Sequence, residues 1–406
     1  MEIVPILSSL RRNKTGATLI GLQIALTLAI VCNALFIVQQ HMQQMGRPSG
    51  LDEAHVFTLA NRWVGKPQDL KPRIEEDLAA IRAVPGVVDA DAANSFPLRG
   101  GGWVTGVRLK PDPKSQSALT TQYFVSEHGL AALGLKLSAG RWFAADEIGD
   151  LLPNQDSYNP ASVIITQDLA RALFLGTSAL GQMVYLGGSS PARIVGIVER
   201  AQIPWATGPG QSFVEKSTFE PYRYISNDHL YYIVRTRAGQ QGVAMKAVQD
   251  RLYALTRQRV IDQVFTFSET RSNAYVVPRS TSVLLAALCA LLVAITIFGI
   301  TGLTTYWVGQ RRRQIGMRRA LGARRTDILR YFHTENLLIA GGGVLLGIAF
   351  GLGGNLWLAS HLELGRMSAA YICVGAVMVL AISQASVFIP ALRAASISPT
   401  EAIRGL

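Results

Sequence analysis

Apolar residues in this chain follow two rhythms. Segments 15–38, 282–308, 337–359 and 367–392 are apolar almost without interruption. A bilayer core takes roughly 20 such residues in one helix, so each segment reads as a membrane span. Between the first and second lies a long stretch where apolar and polar residues alternate or recur at short intervals. That is the pattern of half-buried strands and helices in water. Within it, 56–60 reads as a strand, and Ile74, Leu78 and Ile81 give helical spacing over 72–83, stopped at Val84-Pro85-Gly86. Further strands are expected at 87–92, 103–109, 162–166, 183–186, 192–198 and 231–236, and helices at 127–133, 167–174 and 243–255. The mixture is α+β.

The expected fold is therefore a membrane protein with four transmembrane α-helices. A large α+β extracytoplasmic domain is inserted between helices 1 and 2. The segments are 1–38 for the N-terminus and first helix, 39–279 for the domain, 280–308 for the second helix and 309–336 for a cytoplasmic hairpin. The third helix, a short turn, the fourth helix and the C-terminus follow at 337–359, 360–366, 367–392 and 393–406. The first apolar run is longer than a signal-peptide core and lacks a small-residue cleavage site, so it reads as a retained anchor.

Charge fixes the orientation. The net charge of +12 is concentrated beside the spans: Arg11, Arg12 and Lys14 before the first, a dense arginine block between the second and third, and Arg393 and Arg404 after the fourth. Cytoplasmic flanks are enriched in Lys and Arg, so all three regions are assigned to the cytoplasm and the large domain to the outside. Arginines this close to apolar spans argue for membrane topology, not for nucleic-acid binding.

Two features inside the spans point to helix packing. Gly343, Gly347 and Gly351 stand at four-residue spacing, which lines one helix face with small residues and lets another helix approach. Gln23 and Thr27, one turn apart, are expected to face a neighbouring helix, because a polar group facing lipid is costly. No expected span carries a charged residue at mid-depth, which argues against a proton relay. Cys32, Cys289 and Cys373 all fall in spans and read as buried thiols; the external domain has no cysteine and so no disulfide framework.

Enzyme chemistry is missing from the sequence. It contains no G-x-x-x-x-G-K-[ST], H-E-x-x-H, C-x-x-C or G-x-S-x-G. The adjacent pairs Glu127-His128 and Asp146-Glu147 read as solvated surface, and the Pro-, Gly- and Trp-containing stretch 203–212 as either a functional loop or an irregular connection. No catalytic residue, metal site or cofactor is assigned to this chain.

The segment Gln314-Ile315-Gly316-Met317-Arg318-Arg319-Ala320-Leu321-Gly322-Ala323 closely resembles the E-I-G-x-x-x-A-L-G-A motif of MacB/FtsX-type ABC transporter permeases. The tail from Pro390-Ala391-Leu392-Arg393 to Pro399-Thr400-Glu401-Ala402-Ile403-Arg404 is similar to the same family's ending. In the external region, Gly140-Arg141-Trp142-Phe143, Ala170-Arg171-Ala172-Leu173-Phe174 and Ile194-Val195-Gly196-Ile197-Val198 resemble the MacB periplasmic core domain. The resemblance implies a bacterial inner-membrane permease working as a homo- or heterodimer with a cytoplasmic ABC ATPase, which would hold the ATP and magnesium. It implies that residues Gln314 to Ala323 form the ATPase-coupling helix. It also implies mechanotransmission, in which helix motion is passed to the periplasmic domain. Many members work with a periplasmic adaptor and an outer-membrane exit duct to export peptides or antibiotics. Gln314 departs from the family's usual Glu, since an amide cannot pair ionically with the neighbouring arginines. Related alternatives are a LolC/LolE-like lipoprotein-releasing permease and an FtsX-like regulator of cell-wall hydrolases. From another class, a membrane-anchored sensor would need no docking helix.

Overall fold

The computed structural model describes residues 14–65, 69–112, 114–115, 117–152, 159–227, 230–362 and 367–396. Arg11, Arg12, the tail motif beyond Ser396 with Arg404, and residues 363–366 of the expected short turn lie outside the described residues. The chain forms two compact units: Met45–Val277, and Met1–Gln44 together with Pro278–Leu406.

The first helix, α1 (Lys14–Met45), runs past the apolar segment because Gln39, Gln40, Gln43 and Gln44 are compatible with a helix. It ends just before Gly46 and Pro48.

The Met45–Val277 unit contains, in order, β1 (Val56–Trp63), α2 (Lys71–Arg82), β2 (Val87–Ala93), β3 (Trp103–Arg108), β4 (Ser117–Val125) and α3 (Gly129–Leu133). Then come β5 (Leu137–Gly140), β6 (Gly149–Leu151), β7 (Ser162–Thr166), α4 (Gln167–Phe174), β8 (Met183–Leu186) and β9 (Pro191–Val198). It closes with β10 (Ser217–Tyr224), β11 (Leu230–Thr236), α5 (Gln241–Leu255), β12 (Arg259–Thr266) and α6 (Phe267–Ala274).

Four strands form an antiparallel sheet in the order β12-β1-β11-β2. Side chains alternate across it. Leu230, Tyr232 and Val234 of β11 pack with Ile74, Leu78 and Ile81 of α2 and with Ala244, Val248 and Leu252 of α5. Tyr231 and Ile233 point into a second core with Tyr123, Val125 and Phe219. The other sheet runs β4-β3-β8-β9-β7-β10, and β10 also pairs in parallel with β4, so the path closes on itself. Closure pairs the edges that an open sheet would leave free. The sequence reading missed β4, β5, β6, β10 and β12. β10 carries Pro221, Glu220 and Arg223, which spoil a strand pattern read locally.

Two polar arrangements hold this unit. Arg259 donates from Nη1 and Nη2 to both carboxyl oxygens of Asp77, each at 2.8 Å, and the Tyr232 hydroxyl donates to Asp77 Oδ2 at 2.7 Å. Both charged side chains are essentially fully buried, so removing one partner would strand a buried charge at a cost of about 3–5 kcal/mol. At the ends of the unit, Arg271 donates from Nε to Glu53 Oε2 at 2.8 Å and from Nη1 to the Met45 carbonyl at 3.0 Å. This clasps the two ends of the domain together.

The expectation that Glu127-His128 and Asp146-Glu147 are merely solvated holds for the exposed Asp146 and is corrected for the half-buried Glu127, His128 and Glu147. β2 brings Asp89 Oδ2 to 3.0 Å from His128 Nδ1 at the start of α3. Glu147 folds back to accept from the Ala144 backbone N–H at 2.9 Å and pairs with Arg141. The hydrogen bond from Arg141 leads in pulling its carboxyl down to about 2.

The other unit contains α1, α7 (Val276–Gln310), α8 (Arg312–Ala320), α9 (Arg325–Leu362) and α10 (Ala369–Ser396). α1, α7, α9 and α10 are long and apolar enough to cross a membrane. Cys32 and Cys289 are buried, but Cys373 is exposed on α10, contrary to the reading of all three as buried. A thiol is weakly polar and tolerates a lipid-facing position.

Candidate functional site

The arginine-rich hairpin is a helix with a defined start, stop and two faces. The backbone leaves helical geometry at Arg311 (φ −100°, ψ 11°), between α7 and α8. α8 stops at Leu321-Gly322-Ala323. Gly322 takes φ +98°, the Ala323 N–H donates to the Arg318 carbonyl, and the Gly322 N–H donates to the Arg319 carbonyl, both at 3.1 Å. These two bonds with a left-handed glycine form a Schellman stop, which gives the A-L-G-A motif a physical reason. Asp327 then accepts from the Arg324 N–H at 2.9 Å and opens α9.

Helical spacing separates the faces. Gln314, Met317 and Leu321 lie on the outer face, with Met317 57% and Leu321 84% exposed. Ala320 and Gly322 are exposed as well, and Arg319 and Ala323 are partly covered. Ile315 and Gly316 are buried, so within the expected coupling segment they face the protein's own core. Ile315 belongs to the same apolar core as Ile328 and Phe332 of α9. Arg311, one of the arginines of the dense block, is more than a topology charge: its Nη1 lies 3.0 and 3.1 Å from the two carboxyl oxygens of Glu335. Arg312, Arg313, Arg318, Arg324, Arg325 and Arg330 are the exposed ones.

The remaining predicted residues gather around α1. A Cβ on Gly343 would stand 2.6 Å from the Gly21 carbonyl oxygen, and one on Gly347 would stand 2.9 Å from that of Ala25. Gly351 is looser, at 3.6 Å from Ala29 Cα. The facing residues Gly21, Ala25 and Ala29 repeat at the same spacing on α1, a partner stripe that the sequence reading passed over. On another side of α1, Gln23 Nε2 donates to the Ile295 carbonyl at 2.9 Å and packs over Gly299. The Thr27 hydroxyl lies 2.8 Å from that of Thr296. Thr296 donates its own proton to the Leu292 carbonyl, so Thr27 is the donor between them.

A polar seam, buried at its Asn336–Ser383 contact and half-buried elsewhere, joins α7, α9 and α10. Asn336 Nδ2 donates to Ser383 Oγ at 2.9 Å, and His333 Nδ1 is 2.8 Å from Gln384 Oε1. The Thr301 hydroxyl donates to the Ser386 carbonyl at 3.1 Å. Glu335 and Tyr331 were missed from sequence. The available signal was an acid, one of two with Asp327, beside an arginine-dense hairpin. No group of three or more His, Cys, Asp or Glu among the described residues could hold a metal ion. What the hairpin offers is a small apolar tip with a basic surround, suited to docking.

Residues 15–255, more than half of the chain, match the MacB-like periplasmic core domain family. Residues 286–399 match the FtsX-like permease C-terminal family. The chain is 27% identical over 310 residues to a macrolide export ATP-binding/permease protein MacB of Rhodopseudomonas palustris (strain BisB18), covering 74% of this chain and 45% of that protein. It is 30% identical over 286 residues to macrolide export ATP-binding/permease protein MacB 2 of Aeromonas hydrophila, covering 66% of this chain and 41% of that protein. The chain thus spans less than half the length of these two relatives. Among solved structures, the periplasmic region of MacB from Actinobacillus actinomycetemcomitans aligns with a TM-score of 0.35 and 15% identity, covering 57% of this chain and 97% of that one.

Proposed function

Because this chain belongs to the MacB-type, FtsX-like permease family, we propose that it is the membrane subunit of an ABC transporter driven by a cytoplasmic ATPase on a separate chain. The observation that carries this is the outer face of α8. Met317 and Leu321 are large, apolar and exposed on a short helix between two spans. Exposed apolar side chains rimmed by charge mark a protein contact. The ATPase would hold ATP and magnesium; the sequence of this chain carries no phosphate-binding loop of the Walker type.

In this reading the protein lies in a bacterial inner membrane, with its arginine-rich segments in the cytoplasm and Met45–Val277 in the periplasm. It pairs with a second permease, either its own copy or a relative; Gln314, in place of the usual acid, bears on which. ATP-driven closure of the pair pushes on α8, and the long helices α1 and α7 carry the motion to the external domain. Cargo would be a peptide, an antibiotic or a similar molecule taken from the periplasm, with an adaptor and exit duct beyond.

The test is co-purification of the full chain in mild detergent. Met317→Glu with Leu321→Glu is expected to cut recovered ATPase by about tenfold, because two buried charges would replace the apolar contact. Unchanged recovery, or no ATPase recovered with the wild-type chain, would sink the proposal.

A further inference from the structure

α8 is gripped from one side, at both ends. Arg311 and Ile315 fall on its covered face, and Arg318, though exposed, stands in line with them by helical spacing. At the start, Arg311 Nη1 is 3.0 and 3.1 Å from the carboxyl oxygens of Glu335 on α9. The pair is well buried, with 14% of the arginine side chain and 3% of the glutamate exposed. One turn earlier on α9, the Tyr331 hydroxyl is 3.5 Å from the same Nη1. Nearer the end of α8, the Arg318 guanidinium lies 5.2 Å from the centroid of the Tyr331 ring, within cation–π range. Ile315 fills the core between the two grips. The residue after Glu335, Asn336, donates to Ser383, so the same turn of α9 is tied to α10.

We infer that Arg311 and Glu335 are positioning residues that turn α8 into a fixed lever. Arg311 is also where the backbone bends between α7 and α8. A helix joined only through that bend would swing when pushed at Met317 or Leu321. The ion pair closes the bend, so the push passes into α9 and α10. A buried pair suits this task because opening it pulls apart two charges already withdrawn from water. The exposed Arg312 and Arg313 could form only weak, solvent-screened contacts. This inference rests on the coupling role proposed for α8.

The experiment compares the full chain, purified with its ATPase, as wild type, Arg311→Gln, Glu335→Gln, the exchanged pair Arg311→Glu with Glu335→Arg, and the apolar pair Arg311→Met with Glu335→Met. The readouts are retained ATPase and the nucleotide-dependent change in protease sensitivity of the external domain. Single variants are expected to keep the ATPase within about twofold but to lose roughly tenfold of the nucleotide-dependent change. The exchanged pair should restore about half of the response, the signature of a direct pairwise interaction. The apolar pair removes both charges, so it folds even where a single variant does not, and it should remain unresponsive. A wild-type response from the apolar pair or from folded single variants would overturn the inference, as would a folded exchanged pair that restores nothing. If wild type retains no ATPase, the coupling reading falls and takes this inference with it. If wild type responds and every variant responds equally, only the lever falls.

Discussion

Glu220 sits on β10 with no exposed surface. Gln122 Nε2 donates to its Oε1 at 2.9 Å, while Oε2 finds no partner among the described residues. Burial pushes its carboxyl up to about 7. The sign of the consequence follows from linkage. The folded state holds this proton more tightly than the unfolded chain, whose value is the ordinary 4.5. Its contribution to stability is complete below that ordinary value and is lost as pH rises through about 7. Glu220→Gln removes the ionisation. The variant should gain about 1–3 kcal/mol over wild type at pH 8 and almost nothing at pH 4.5. Thermal unfolding at the two pH values checks this; a gain of equal size at both would show that the carboxyl proton is irrelevant. Nothing local in the sequence marks Glu220. Its burial comes from pairing β10 with both β4 and β7, strands roughly 50 to 100 residues earlier in the chain.

At the scale of elements, contact geometry grades the three glycines on α9. A side chain on Gly343 or Gly347 would strike backbone on α1, which cannot rotate away as a side-chain tip can. Gly343→Val and Gly347→Val should each destabilise the helical unit by about 1–3 kcal/mol through overpacking. Gly351→Ala meets only ordinary contact and should be neutral to within about 0.5 kcal/mol, helped by alanine's better helix propensity. Detergent melting temperatures of the full chain decide; equal losses at all three positions would refute the grading. These glycines were legible because a helix converts a four-residue repeat into a face, and the apolar runs of the spans were legible for the same local reason. The Arg311–Glu335 pair was not, because its partners stand on separate helices with a reversal between them and share no periodicity. The arginine also looked like one more topology charge among many. The external domain was legible as α+β, yet its ring of strands was not, because non-local pairing leaves no trace in a short window.

At the scale of the whole molecule, Met45–Val277 has its own cores, a closed ring of strands and a buried ion pair that needs no residue from outside it. Expressed alone, this segment should fold and unfold in a single cooperative transition, as domains of its size with their own core do. Circular dichroism on heating tests this. A gradual, featureless loss of signal would mean that the helices are needed to hold it together.

The Arg271 clasp gives that independence a further consequence. It brings the point where the chain enters the domain beside the point where it leaves. An insertion whose ends adjoin adds little strain to its host, whatever lies between them. The domain is thus a cartridge with a standard fitting. Recombination could exchange it for another with neighbouring ends, changing what is handled outside while the helices and their lever stay as they are.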